Sequence, residues 1–296
     1  MSEIKNVVII GAAGNLGPAI LDAFLQKSSF NVTVLTREES KSTFPSGVKV
    51  VRADYSSIDS LKEAFQGQDA VVSLVGGNAL GDQQKLIDAA IAAGVKRFLP
   101  SEFGSNTEDE FVAAAVPVFK FKIATVDYLK SNEDKISWST IITGPFFDWG
   151  LKIGFTGFNL ANKKASLIDE GKGHWIGTNL AQIGLATVKV LEKAAETKNK
   201  HIYISSFTTT QNDVLAALEK FTGSKFTVEN TSSKEHAARG AELVSRGDYS
   251  GIMLQIQATA LGDHGHGDYS SAGLWNEKLG LPKEDFEATI KGVLEG

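Results

Sequence analysis

The segment Gly11-Ala-Ala-Gly14-Asn15-Leu16-Gly17 constrains the fold more than any other, because it follows the apolar run Val7-Val-Ile-Ile10 and leads into a stretch rich in Ala, Ile, Leu and Phe. A short, wholly apolar strand that breaks into glycines and then into a helix is the start of a βαβ unit. Each glycine has its own task. Gly11 permits the tight strand-to-helix turn, Gly14 lets a pyrophosphate approach the backbone with no Cβ in the way, and Gly17 lets the helix pack closely on the sheet. The unpaired N–H groups and the positive dipole end of that helix then favour an anion. The reading is a dinucleotide cradle, with a glycine-rich turn that merely packs as the alternative.

The next strand, Asn31-Val-Thr-Val-Leu-Thr36-Arg37, ends where such a site discriminates between nucleotides. An acid at this tip would hold both ribose hydroxyls; a cation would pair with a 2′-phosphate. Arg37 stands there, after Thr36, with Lys41 four residues on. NADP(H) is the favoured cofactor. The competing reading turns Glu38 or Glu39 inward to a ribose and leaves Arg37 as a solvated charge.

Strand and helix patterns then alternate as a parallel sheet requires. Val48 to Asp54 reads as a strand, Ser60 to Phe65 as a short helix, and Asp69 to Val75 as a strand closed by Gly76-Gly77. Gln83 to Ala93 form a helix stopped by Gly94, Arg97 to Pro100 a strand, Pro117 to Leu129 a helix and Ser137 to Thr143 a sixth strand. The fold class is α/β: a Rossmann-type, doubly wound parallel sheet with a smaller C-terminal α+β substrate domain. Such sheets bind ligands beyond the carboxyl ends of their strands. The site is therefore expected at the loops around Gly11, Arg37, Asp54, Val75, Ser101 and Gly144. Residues 1–148 are assigned to the nucleotide-binding domain and 149–296 to the substrate domain. Leu180 to Lys193 reads as an amphipathic helix and His201 to Ser205 as a further strand, so 173–205 is expected to return to the first domain, leaving 149–172 and 206–296 as a lid.

Composition narrows the partners. A chain of 296 residues with 42% hydrophobic content can bury one large core or two moderate ones. Its formal charge of −5 and lack of a polybasic run give no basic face for nucleic acid. Without cysteine there is no disulfide, thiolate or cysteine-ligated zinc chemistry. Glu3 and Lys5 interrupt any signal peptide before the first strand, and no apolar run approaches the roughly 20 residues that span a bilayer. The expectation is a cytoplasmic protein acting on a small molecule, with no nucleic-acid or membrane partner and a homodimer as a possible assembly.

The set GAAGNLG, Leu35-Thr-Arg37, Leu99-Pro-Ser-Glu-Phe-Gly104, Phe119-x-x-Lys122, Gly144-Pro-Phe146 and Leu279-Gly-Leu-Pro282, in this order, resembles the NmrA-like and isoflavone-reductase-like branch of atypical short-chain dehydrogenases, most closely its fungal members. The resemblance spans nearly the whole chain. It implies an NADP-binding domain with a small substrate domain and, as in the plant members, NADPH-dependent reduction of phenylpropanoid-type aromatics. The same family holds regulators that bind the nucleotide and catalyse nothing, so an NADP-binding redox sensor is the alternative function.

The resemblance also implies a catalytic lysine, and both Lys120 and Lys122 lie in the relevant helix. Two residues apart on a helix is about 200 degrees, so only one can face the cofactor. The reductases place Phe three residues before the lysine and an aliphatic residue seven after it; Phe119 and Leu129 satisfy this for Lys122, while Lys120 has Pro117 and Asp127. Lys122 is the expected catalytic and cofactor-contacting residue. The paired arginines that often follow the lysine are replaced by Ala124-Thr125-Val126. The usual dehydrogenase pair, Tyr with Lys four residues later, is absent: the five tyrosines are followed at that distance by Asp59, Asn132, Phe207, Met253 and Gly273. Lys122 would then hydrogen-bond the nicotinamide ribose and donate a proton directly or through water.

Other candidates complete the expected site. The family uses an acid near the adenine amino group, which here is Asp54, followed by Tyr55; a capping role for Asp54 competes. Val75, Gly76 and Phe146 are expected on the cofactor. Phe146, Phe147, Trp149, Phe155 and Phe158 cluster past the sixth strand, where a pocket for an aromatic ring would form, or else as inter-domain core. Asp263-His264-Gly-His266-Gly-Asp268 is read as a flexible loop near the substrate, with His264 a substrate contact, and no metal site is assigned.

Overall fold

The computed structural model describes residues 3–296. In chain order the strands are β1 (Asn6–Ile10), β2 (Asn31–Arg37), β3 (Lys49–Ala53), β4 (Ala70–Ser73), β5 (Arg97–Leu99), β6 (Ser137–Ile142), β7 (Phe158–Asn159), β8 (Lys164–Ile168), β9 (Trp175–Gly177), β10 (Lys200–Tyr203), β11 (Phe207–Thr209) and β12 (Thr227–Thr231). Seven of them form one sheet in the order β10-β6-β5-β4-β1-β2-β3, with every neighbouring pair parallel. The order reverses at β1, so the glycine turn that follows this strand lies at the switch point, where a doubly wound sheet binds its ligand.

Alternation along β1 explains its central place. Val7 and Ile9 face one helix layer and Val8 and Ile10 the other, and all four are buried. The first layer holds α1 (Gly17–Lys27) and α7 (Leu180–Glu192). They cross closely, since a Cβ on Gly184 would meet the Ala19 carbonyl oxygen at 2.5 Å. The second layer holds α2 (Ile58–Ala64), α3 (Gln83–Ala92) and α5 (Phe119–Lys130), which bury Leu61, Leu86, Ile87, Val126 and Leu129. α2 starts two residues before the serine expected to open it, because the Ser57 side chain accepts a hydrogen bond from the Ser60 N–H and caps it. A helix that periodicity did not suggest, α4 (Glu110–Ala115), is short and starts on Asp109, whose carboxylate accepts from the N–H groups of Phe111 and Val112.

The segment 173–205 divides between two sheets. α7 packs on α1 and β10 extends the seven-stranded sheet beside β6, but β9 pairs antiparallel with β11 instead. A separate apolar cluster joins Trp175 of β9 to residues on either side of this segment, from α6 (Phe147–Lys152), β7, β8, α8 (Gln211–Thr222) and α12 (Phe286–Glu295). A three-stranded sheet, β12-β8-β7, lies beneath it. The hairpin of α9 (Ser233–Ser245) and α10 (Gly251–Leu261) closes tightly, a Cβ on Gly251 falling 2.2 Å from the Gly240 carbonyl oxygen. Ile252 and Ile256 of α10 rest on Val112, Val116 and Phe119, which joins the C-terminal part to the helices over the sheet. No helix among the described residues is long and apolar enough to cross a membrane.

Phe147 has no exposed surface and packs on Trp175, Phe207 and Phe286 with ring centroids 5.7, 5.1 and 5.6 Å away. Phe147→Ala is expected to destabilise the fold by about 3–5 kcal/mol through the cavity it leaves, measured by chemical denaturation. Phe146→Ala, one residue earlier and only partly buried, should lose far less.

Candidate functional site

The cradle forms because the backbone leaves no room for side chains at two of its three glycines. Gly11 has a φ of +80°, and a Cβ there would lie 2.7 Å from the Leu74 carbonyl oxygen at the end of β4. Gly17 is crowded by its own loop and not by the sheet: its Cβ would fall 2.3 Å from the Ala12 carbonyl. The turn closes through the Gly14 N–H to Gly11 O (2.9 Å) and the Gly17 N–H to Gly14 O (3.1 Å). Gly14 is open, with only the Gly11 carbonyl oxygen near its missing Cβ, at 3.3 Å. No side chain caps the first turn of α1. The result is a groove of about 440 Å³ walled by Gly11 to Gly14, Leu35 to Arg37 and Val75-Gly76. A dinucleotide diphosphate fits this arrangement: a backbone surface free of Cβ atoms beside an uncapped helix start.

At the far end of the groove Arg37 is exposed and its Nε lies 3.4 Å from a Glu39 carboxylate oxygen. Exposed pairs of this kind contribute about 0–1 kcal/mol, so the guanidinium is free to exchange Glu39 for a stronger anion. Ser40 and Ser42 line the same end, their hydroxyls 3.2 Å apart, and Arg52 holds the loop by donating to the Ser40 carbonyl. Tyr55 also lines the groove and donates its hydroxyl to the Leu35 carbonyl (3.1 Å), and burial pushes its phenol pKa up.

A second cavity of about 300 Å³ lies next along the chain from Gly76, with Gly77 and Leu80 in its wall. Phe103, Phe119, Phe146, Trp149, Phe155 and Ile256 make most of the remainder, so the lining is overwhelmingly apolar. The polar side chains in it are Ser105 and Lys122. Lys122 is partly buried, and its Nζ donates to the main-chain carbonyl of Glu102 while lying 5.7 Å from the Phe119 ring centroid. Lys120, two residues back, is exposed and lies along the Phe121 ring at 5.0 Å. The helix phase thus turns Lys122, and not Lys120, to the cavity. Burial lowers the Lys122 pKa and the Glu102 charge opposes this; burial likewise raises the Glu102 pKa against the opposing effect of Lys122.

Several expected contacts lie elsewhere. Asp54 is exposed and accepts from the Ser56 N–H and hydroxyl, which closes the turn ahead of the Ser57 cap and holds the Asp54 pKa down; Tyr55, and not Asp54, lines the groove. Lys41 is exposed and does not line the groove. Asn15 is exposed just past the groove wall, whereas Leu16 is buried against Ile20 and Val34 in the core and can offer only its backbone. Phe147 and Phe158 are core residues, because α6 begins at Phe147 and carries it away from Phe146. His264 points from its loop to the Ala258 carbonyl (2.9 Å) and packs on Phe111, 4.9 Å between centroids, outside the cavity. His266 pairs separately with Asp109 at 2.7 Å. The reading from sequence missed Leu80, Ser105, Ile252 and Ile256 as lining residues, and gave Glu102 no role. Of these only Ser105 and Glu102 carried a signal, by standing in or beside the Pro-Ser-Glu-Phe-Gly run.

The family model for the NmrA-like family matches residues 3–239. "Oxidoreductase aprR" of Aspergillus flavus is 38% identical over 98% of this chain and 99% of its own. Among solved structures, an isoflavone reductase superposes with a TM-score of 0.78 at 20% identity, covering 99% of both chains. A complex of AtPrR2 with NADP+ and (+)pinoresinol gives 0.71 at 21% identity, over 97% of this chain and 93% of that one. At these identities the two structures establish the shared fold.

Gly17→Ala puts a methyl group where the Ala12 backbone stands, so the loop must move. The expected result is a loss of about 1–3 kcal/mol in stability, as for other overpacked sites, together with weakened dinucleotide binding. Thermal unfolding and nucleotide titration of the purified variant check this; Gly76→Ala, with open space around its Cβ, is the matched control for stability.

Proposed function

The chain belongs to the NmrA-like family, and from that premise we propose that it is an NADPH-dependent reductase that delivers hydride to an electrophilic carbon of a small aromatic or enone-like molecule. The observation that carries this reading is a single lysine in a cavity whose only other polar side chain among the described residues is Ser105 and whose wall at Gly77 adjoins the wall of the dinucleotide groove at Gly76. That the A. flavus relative is named an oxidoreductase and that AtPrR2 was solved with NADP+ and (+)pinoresinol supports it.

Each part of the site has a definable task. The backbone of Gly11 to Gly14 and the start of α1 bind the diphosphate, and Arg37 with Ser40 and Ser42 binds the 2′-phosphate. The bound nucleotide would supply the hydride. Phe103, Phe146, Trp149 and Phe155 offer flat apolar surface that orients a ring and excludes water. Lys122 carries the proton of the site on Nζ. Burial lowers its pKa and makes that proton easier to give up than one on a solvated lysine, which suits a general acid. With no tyrosine four residues before a lysine, the proton passes from the amine itself or through a water it holds. In this reading residues 1–148, with α7 and β10, form the nucleotide-binding part, and 149–172 with 206–296 form the cover.

The test is NADPH oxidation against a panel of quinones, enones and phenylpropanoid-type aromatics, repeated with Lys122→Met. Loss of a general acid in this position should lower kcat by about 100-fold or more, while the NADPH Kd stays within a few fold. Tight nucleotide binding with no turnover across the panel would replace the reductase reading by a nucleotide-sensing one.

A further inference from the structure

Glu102 is the most deeply buried acid beside the cavity, with 1% of its surface exposed, and no step described so far uses its carboxyl group. One carboxylate oxygen accepts from the Thr107 hydroxyl at 2.8 Å; the other, Oε1, is buried and has no hydrogen-bond partner. A charge in such a place is costly unless another charge compensates it. A glutamine or methionine would fill the same space without that cost if packing were the only requirement.

The charged neighbours define what the acid faces. Glu108, in the loop before α4, repels it, but Glu108 itself lies 3.6 Å from Lys130 and 3.4 Å from His201, which occupy it from the other side. The cation that bears on Glu102 is Lys122 of α5. The main-chain carbonyl of Glu102 accepts a hydrogen bond from the Lys122 ammonium, so one residue provides both the dipole that fixes the amine and the charge that acts on it. Gly104 borders the pair, a Cβ there standing in ordinary van der Waals contact with the Glu102 carbonyl oxygen (3.4 Å) and Lys122 Nζ (3.8 Å).

We propose that Glu102 is a positioning residue for Lys122, its main-chain carbonyl fixing Nζ at the cavity wall and its buried carboxylate holding the amine in the protonated form. Burial in this apolar lining weakens the hold of the amine on its proton. The opposing carboxylate works to keep it in place, and the Thr107 hydroxyl favours the charged form of that carboxylate against the burial that raises its pKa. The meaning of the device for catalysis rests on the reductase reading; the device itself does not.

The test reads the amine directly in the free protein. Lysine labelled with 13C at Cε is followed by NMR through a pH titration, with the Lys122 signal assigned by its disappearance in Lys122→Met. Glu102→Gln keeps the shape and removes the charge, and is expected to lower the Lys122 titration midpoint by about 1–2 pH units, the size of a charge–charge interaction at a few ångströms in a medium of intermediate dielectric. Thr107→Val, which leaves Glu102 in place, should lower it in the same direction by a smaller amount, and decides the matter if Glu102→Gln fails to fold. An unchanged midpoint in a folded variant overturns the proposal, whether or not the protein proves to be a reductase. If turnover is found, the alkaline limb of its pH profile should move to lower pH with the amine in Glu102→Gln, a shift that a purely structural role would not produce.

Discussion

The approach of the Gly11 turn to the tip of β4 is the constraint on which the rest of the site depends. With a Cβ barred at Gly11 by the Leu74 carbonyl and at Gly17 by Ala12, the chain leaves β1 along one path and α1 begins directly over the switch point of the sheet. That path sets the groove between the glycine turn, the end of β2 and Val75-Gly76. It also brings Gly76-Gly77 to the edge of the lysine cavity, so a molecule lying in the groove would have one end delivered to Lys122. Backbone sterics at a few atoms thereby position two cavities relative to each other.

Electrostatics in the second cavity follow from its apolar lining. An apolar lining weakens the hold of an amine on its proton and strengthens every interaction with a nearby charge, so the same aromatic residues that would orient a ring also prepare Lys122 as an acid. The cover is made partly by residues far along the chain: Ile252 and Ile256 reach the cavity by packing α10 on Val112, Val116 and Phe119. Access to the cavity and the stability of that small apolar cluster are consequently linked.

Much of this was legible in the sequence for physical reasons. The alternation of Val7, Val8, Ile9 and Ile10 between two helix layers is a two-residue period that needs a buried parallel strand, and the glycine spacing marks where the backbone must be bare. The choice of Lys122 over Lys120 came from family spacing and agrees with helix phase. What was not legible depends on phase at element ends and on contacts between distant segments. Phe146 and Phe147 are adjacent, and only the start of α6 separates a cavity residue from a core residue. His264 sits in a loop whose glycines gave no direction to its ring. Glu102 drew no role from the sequence, since a buried carboxylate leaves no periodic trace.

The measurement that bears most directly on the account is a calorimetric titration of the purified protein with NADPH and with NADH, each repeated on Arg37→Ala. The groove with Arg37 at its tip predicts that NADPH binds at least about tenfold more tightly than NADH, a difference of about 1.4 kcal/mol, and that Arg37→Ala removes most of this preference while leaving NADH binding unchanged. Equal affinity for the two nucleotides, tighter binding of NADH, or a preference that survives the loss of Arg37 would contradict it.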